Sequence, residues 1–159
     1  MDILYRSACD DDIEELIGLR RAYLRSDFGE IDKGVEDAVA SQLPDYFARH
    51  LQNDLFAPVA ECDGKLVGTC WLLVVEKPAS VAFPHGRTGA IFNVYVDPRY
   101  RRQGIARRLM LMLIDKAKEL ELDRLELRAT SMGHDLYRSI GFVDDESSHT
   151  AMNYKLGEE

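Results

Sequence analysis

A chain of 159 residues that is 46% apolar and 30% charged suits one folded domain with a hydrophobic core. Its net charge of −8 argues against a general nucleic-acid binder, which needs an extended basic face. No stretch approaches the roughly 20 apolar residues of a membrane span, and the start MDILYRSACDDDIEEL has neither the basic nor the apolar part of a signal peptide. Cys9, Cys62 and Cys70 show no metal-ligand spacing and read as reduced thiols of a cytoplasmic protein, with no metal and no membrane partner.

In chain order, Ile3 to Arg6 reads as a short strand. A helix follows, with Asp10 or Asp11 as N-cap and Ile13, Leu16, Ile17, Leu19 and Arg20 along its apolar stripe. Phe28 to Val35 reads as a loop with Gly29 and Gly34, and Ala38 to Leu51 as a second helix that Pro44 should interrupt. Leu55 to Cys62 and Lys65 to Val75 form strands around Asp63-Gly64, a strong hairpin signal. Ala90 to Val96 is the next strand. Strict alternation puts Phe92, Val94 and Val96 on one face and Ile91, Asn93 and Tyr95 on the other, and two apolar faces predict a central position.

The helix after Tyr100 is predicted to bury Ile105, Leu109, Met112, Leu113 and Ala117. Leu125 to Ala129 is a further strand, and Gly133 to Ser139 a short helix stopped at Gly141. Phe142-Val143 and Ala151 to Leu156 can supply final strands. This order predicts an α/β fold: one domain over residues 1–159, with a mixed central β-sheet and helices on both faces. Ligands of such open sheets bind where the sheet breaks, which here falls beyond Val96.

The strongest local signal is Arg101-Arg102-Gln103-Gly104-Ile105-Ala106. A central strand enters a glycine-bearing, basic helix start, where unpaired N–H groups and the helix dipole attract an anion. Gly104 permits close backbone approach to a pyrophosphate, Ala106 keeps the next position small, and Arg102 or Arg107 can add charge-assisted bonds. The chain lacks both GxxxxGK[ST] and GxGxxG, which argues against a nucleotide-hydrolysing P-loop and a dinucleotide-binding unit. A second signal is Leu136-Tyr137-Arg138-Ser139-Ile140-Gly141-Phe142, where a tyrosine on a short helix can serve as general acid to a leaving thiolate. Tyr23, Phe28, Tyr46 and Phe47 on the first two helices suit either the wall of a ligand cleft or the filling of the core.

These residues make the chain resemble the Gcn5-related N-acetyltransferase (GNAT) superfamily over nearly its whole length. The likeness is strongest from Ile91 to Leu113 and from Leu125 to Phe142. The family's pyrophosphate motif falls on Arg101, Gly104 and Ala106. The resemblance implies acetyl-coenzyme A as co-substrate, with its pyrophosphate on amides from Arg102 through Gln103, Gly104, Ile105 and Ala106 to Arg107. It implies that the strand ending at Val94–Val96 is bulged, splays from its neighbour and pairs with the pantetheine arm. A backbone N–H near Val94 would polarise the thioester carbonyl, and Tyr137 would be the acid. Thr130 stands where many relatives have asparagine; it can cap the tyrosine helix or reach the pantetheine amide. Homodimers are common in the family.

No base is evident. Where histone-acetylating relatives carry a glutamate, this strand offers Ala90, Ile91, Phe92 and Asn93, and Asn93 can only order a water or bind substrate. Glu61, Glu76, His85 and His134 are chemically capable. The reading is acetyl transfer to a primary amine of a small molecule by direct attack in a ternary complex, with Tyr23, Phe28 and Asn93 at the acceptor. The alternatives are a protein or peptide N-acetyltransferase, or an inactive acyl-coenzyme A sensor.

Overall fold

The computed structural model describes residues 2–157. The described residues group into two compact units, one up to Arg128 and one from Ala129.

The first unit is built on a mixed sheet. Its strands are β1 (Leu4–Ser7), β2 (Leu55–Phe56), β3 (Pro58–Cys62), β4 (Lys65–Glu76), β5 (Arg87–Val96) and β6 (Arg124–Glu126). They run in the order β1-β3-β4-β5-β6, with β2 also on β4. All pairings are antiparallel except β5–β6. β5 therefore has neighbours on both sides, as its two apolar faces predict. Asp63 and Gly64 both take positive φ, 49° and 75°, the geometry of a two-residue turn that matches strand twist.

Helices α1 (Ile13–Phe28) and α2 (Lys33–His50) cover one face, and α3 (Ile105–Glu119) covers the other. Alternation along β4 makes the division. Trp71 belongs to the core cluster with Leu16, Leu19, Leu43 and Phe47, whereas Gly68 approaches Ile105 of α3. Phe47 meets Trp71 edge to face at 5.2 Å, and Trp71 meets Phe92 at 5.7 Å. Loss of such a buried ring costs about 3–5 kcal/mol. The indole N–H of Trp71 donates to Thr69 Oγ1 at 3.1 Å, and the Thr69 hydroxyl donates to the Pro58 carbonyl, so this buried polar pair is satisfied.

Several expectations need correction. Asp10 and Asp11 do not cap α1; with Asp12 they form a 3₁₀ turn. The Asp12 carboxylate turns back to accept from the Cys9 N–H at 2.8 Å and from Arg6 at 2.7 and 2.9 Å. The loop between α1 and α2 shrinks to residues 29–32, because Asp32 accepts from the Val35 N–H and starts α2 early. Pro44 does not interrupt α2. Leu43 and Phe47, flanking the proline, are locked in the core, so the helix absorbs one lost backbone bond. On α3, Met110 is fully buried and Met112 only partly.

The second unit carries α4 (His134–Ile140), which ends at Gly141 with φ 121° as anticipated. No strand forms after α4 among the described residues. Met152, Tyr154 and Leu156 are exposed, so the alternation in 151–156 is present without a ladder or a buried face to fix it.

Candidate functional site

The centre of interest is the C-terminal half of β5. Thr69 pairs with Tyr95 and Trp71 with Phe92, so Cys70 alone opposes the two residues Asn93 and Val94. That is a β-bulge, and Asn93 holds its left-handed position with φ 53°, a conformation asparagine tolerates better than most residues. The inserted residue reverses the phase of the strand. Phe92, Asn93 and Tyr95 all turn toward the α1–α2 side, while Val96 lies against Gly68 on the α3 side. Strict alternation had placed Asn93 and Tyr95 opposite Phe92, and it fails for this reason. On the other edge, β6 pairs only with Thr88, Gly89 and Ala90. From Ile91 onward β5 therefore has no ladder partner on that side.

β5 leads into a basic turn. Asp97 accepts from the Arg99 N–H and side chain and caps a 3₁₀ turn at Pro98–Tyr100. Arg101 Nε donates to the Val96 carbonyl at 2.8 Å, and its guanidinium lies 5.6 Å from the Tyr95 ring centre. That side chain fixes the exit of β5. Arg102 (φ 65°) and Gly104 (φ 79°) both take left-handed backbone at the start of α3. Among the described residues no backbone carbonyl accepts from the N–H groups of Arg102, Gln103 or Gly104, and Ile105 and Ala106 carry the orphan donors of the helix start. No atom lies within 4 Å of where a Gly104 side chain would begin, so open space stands over these donors. A row of free amides at a helix N-terminus beside an exposed Arg102 fits a pyrophosphate. An extended arm leaving it could use the unpaired edge of β5.

The acceptor-side residues separate. Tyr23 lies beside Arg20, whose guanidinium is 5.9 Å from its ring centre, near Asn93. Phe28 instead lines a cleft of about 380 Å³ between α1 and α2 with Leu24, Ile31, Val35 and Val39. None of the residues lining that cleft belongs to the amide row. Arg20 is the residue that sequence reasoning overlooked as a candidate. Its place between apolar positions of α1 made it look like part of the helical stripe.

In the second unit, Tyr137 is buried, with its ring over Gly133 and edge-on to Phe142 at 6.1 Å. Thr130 Oγ1 accepts from the Gly133 N–H at 3.2 Å and so helps cap the α4 start. His134 Nε2 lies 2.7 Å from Asp144, which also accepts from Arg138. The other base candidates are engaged too: Glu61 by Arg6 at 2.8 Å, and His85 by Asp123 at 2.6 Å. Glu76 sits exposed at the end of β4.

An α/β sheet with a bulged, half-unpaired central strand feeding an amide row is a frame suited to a phosphorylated carrier. The Acetyltransferase (GNAT) family model matches residues 10–142, and the chain belongs to that family. It is 34% identical over 89 residues to human N-acetyltransferase 8B, a match that covers 53% of this chain and 37% of that relative. The fold is similar to a predicted acetyltransferase from Clostridium acetobutylicum, solved with acetyl-CoA, at TM-score 0.82 and 26% identity over 96% of each chain. It is also similar to a GCN5-related N-acetyltransferase from Ralstonia eutropha JMP134, at TM-score 0.81 and 27% identity, covering 95% of this chain and 99% of that one. Membership of this family points to GNAT-type acetyl transfer dependent on acetyl-coenzyme A.

Proposed function

We propose that this chain acts as one cytoplasmic N-acetyltransferase domain that moves the acetyl group of acetyl-coenzyme A to a primary amine of a small molecule. The observation that carries this reading is the row of unpaired amides at Arg102–Ala106, opening onto free space at Gly104 directly after the bulged β5. The pyrophosphate of the donor rests on those amides, and Arg102 adds a charge-assisted bond. The pantetheine arm runs along the unpaired edge of Val94 and Val96.

Transfer is direct. The neutral acceptor nitrogen attacks the thioester carbon, a C–N bond forms and the C–S bond breaks. The Val94 N–H, in the bulge, stabilises the developing oxyanion. The Tyr137 hydroxyl donates its proton to the departing thiolate, an assignment supported by the family resemblance of its helix. The acceptor's surplus proton leaves through water, without a dedicated base. The aromatic surroundings of Arg20 favour a small acceptor over a peptide backbone.

The test is coenzyme A thiol release in the presence of acetyl-coenzyme A and a panel of amines, aminoglycosides, amino acids and peptides. Release with small amines is expected. Release with peptides alone would make the chain a protein N-acetyltransferase, and tight donor binding without any release would make it a sensor.

A further inference from the structure

α1 carries three arginines whose surroundings differ. Arg21 and Arg25 both reach Glu36 on α2, an ordinary ion pair. Arg20 points to the sheet and has no ion pair among the described residues. Its guanidinium sits 5.9, 5.6 and 5.8 Å from the ring centres of Tyr23, Trp71 and Phe92. Its one hydrogen bond is from Nη1 to Asn93 Oδ1 at 3.2 Å. The carboxamide on the receiving end is itself incomplete: Asn93 is 1% exposed, and its Nδ2 has no partner.

A cation held half-buried among aromatic faces is costly unless an anion joins it. Burial already pushes the Arg20 pKa below its ordinary value, with Tyr23 and Tyr46 acting in the opposite direction. Among the described residues no carboxylate forms an ion pair with this arginine, whereas Arg21 and Arg25 share Glu36. An unpaired fork of donors and an unpaired amide N–H₂ thus share one spot, next to the strand bulge assigned above to acetyl transfer.

From this juxtaposition we infer that Arg20 and Asn93 form the acceptor's anchoring site, and that the acceptor is an amine bearing a carboxylate. The carboxylate takes the guanidinium fork and the Asn93 Nδ2 hydrogen, leaving the amine at the bulge beside Val94. One cation matches a monoanion; a phosphate dianion would call for a second cation, and Arg21 is committed to Glu36. The ring faces of Tyr23 and Phe92 suit the apolar part of such an acceptor. This inference rests on the acetyl-transfer reading for the position of the amine, but not for the binding of the carboxylate.

Binding can be read without turnover, because Trp71 is the single tryptophan and lies 5.6 Å from Arg20. The probes are the common L-amino acids as free acids, set against the same amino acids as carboxamides. At least one free acid should change Trp71 emission saturably, about tenfold or more tighter than its carboxamide. Arg20→Gln should remove that preference while coenzyme A affinity and the circular dichroism spectrum stay as in the parent. Arg20→Lys, which keeps the charge, should restore part of it and guards against a folding artefact. The same pairs in the thiol-release assay should show the preference in kcat/KM. No response to any free acid, equal response to acids and amides, or a preference that survives Arg20→Gln would each overturn the inference. Failure of acetyl-coenzyme A to bind or react, with the carboxylate preference intact, would instead overturn the transferase reading alone.

Discussion

Substitution at Gly104 separates backbone strain from occlusion of the donor. Gly104 stands at φ 79° and ψ 10°, and no atom lies within 4 Å of a side chain built there. Alanine at this position meets no steric clash and suffers only the left-handed backbone, about 1–2 kcal/mol. For a chain of this size each 1 kcal/mol lowers Tm by roughly 2–4 °C. Glutamate adds little further strain, yet it puts a carboxylate into the open space over the free amides. A hydrogen bond to a charged group contributes about 1.5–3 kcal/mol, so displacing one or two phosphate contacts weakens binding by about 10- to 100-fold or more. Titration calorimetry with acetyl-coenzyme A and with coenzyme A should therefore find Gly104→Ala close to the parent and Gly104→Glu at least tenfold weaker. The melting temperatures of the two variants should differ far less than their affinities. Parent-like affinity in Gly104→Glu would refute the assignment of the amide row to the pyrophosphate. A loss that simply tracks melting temperature would reduce Gly104 to a turn residue.

Tyr137→Phe should lower kcat about 100-fold or more and leave acetyl-coenzyme A affinity near the parent value; stopped-flow and equilibrium binding on one preparation decide it, and unchanged turnover across pH rejects the acid role. Arg6 beside the Asp12 carboxylate holds it at about 2, against its ordinary 3.8. Because the folded pKa is the lower one, this contribution of about 2 kcal/mol is complete above pH 4 and fades as pH falls toward 2. Urea midpoints at pH 5 and pH 2.5 should show the parent losing that amount relative to Asp12→Asn; parallel loss in both would remove Asp12 from the account. A side chain on Gly89 would begin 2.4 Å from Leu72 Cδ1 and 2.6 Å from Leu125 Cδ2. Gly89→Ala should accordingly destabilise the β4–β5–β6 junction by about 1–3 kcal/mol, visible as a lower Tm.

Most of the scaffold was legible because its signals are local. Asp63-Gly64 specifies its turn by the φ values it tolerates, and Gly141 ends α4 for the same reason. The 3.6-residue period of α3 shows its buried stripe whatever lies beneath it. Failures came where a distant group overrides a local preference. The sequence predicts a cap for α1 at Asp10 or Asp11, but both lie in a 3₁₀ turn held where Arg6 and the Cys9 N–H claim the Asp12 carboxylate. Pro44 prefers to end a helix, but Leu43 and Phe47 are held by the core from across the fold. At 151–156 the alternation is clear and no ladder takes it up, because alternation states which face a strand would bury and not whether a partner strand is there.

The same distinction explains the site. The amide row could be read from Arg101 to Ala106 because one helix start creates it. The acceptor side could not, since it depends on where β5 changes phase. With regular pleating, Asn93 would face away from Phe92 and from α1, and Arg20 would meet only rings. One residue in left-handed backbone brings the carboxamide round to Arg20 and takes Val94 out of register with β4. The donor and acceptor assignments are consequently not independent features of the sequence. Both proposals rest on a single bulge, which takes Val94 out of register with β4 and sets the Asn93 carboxamide beside Arg20.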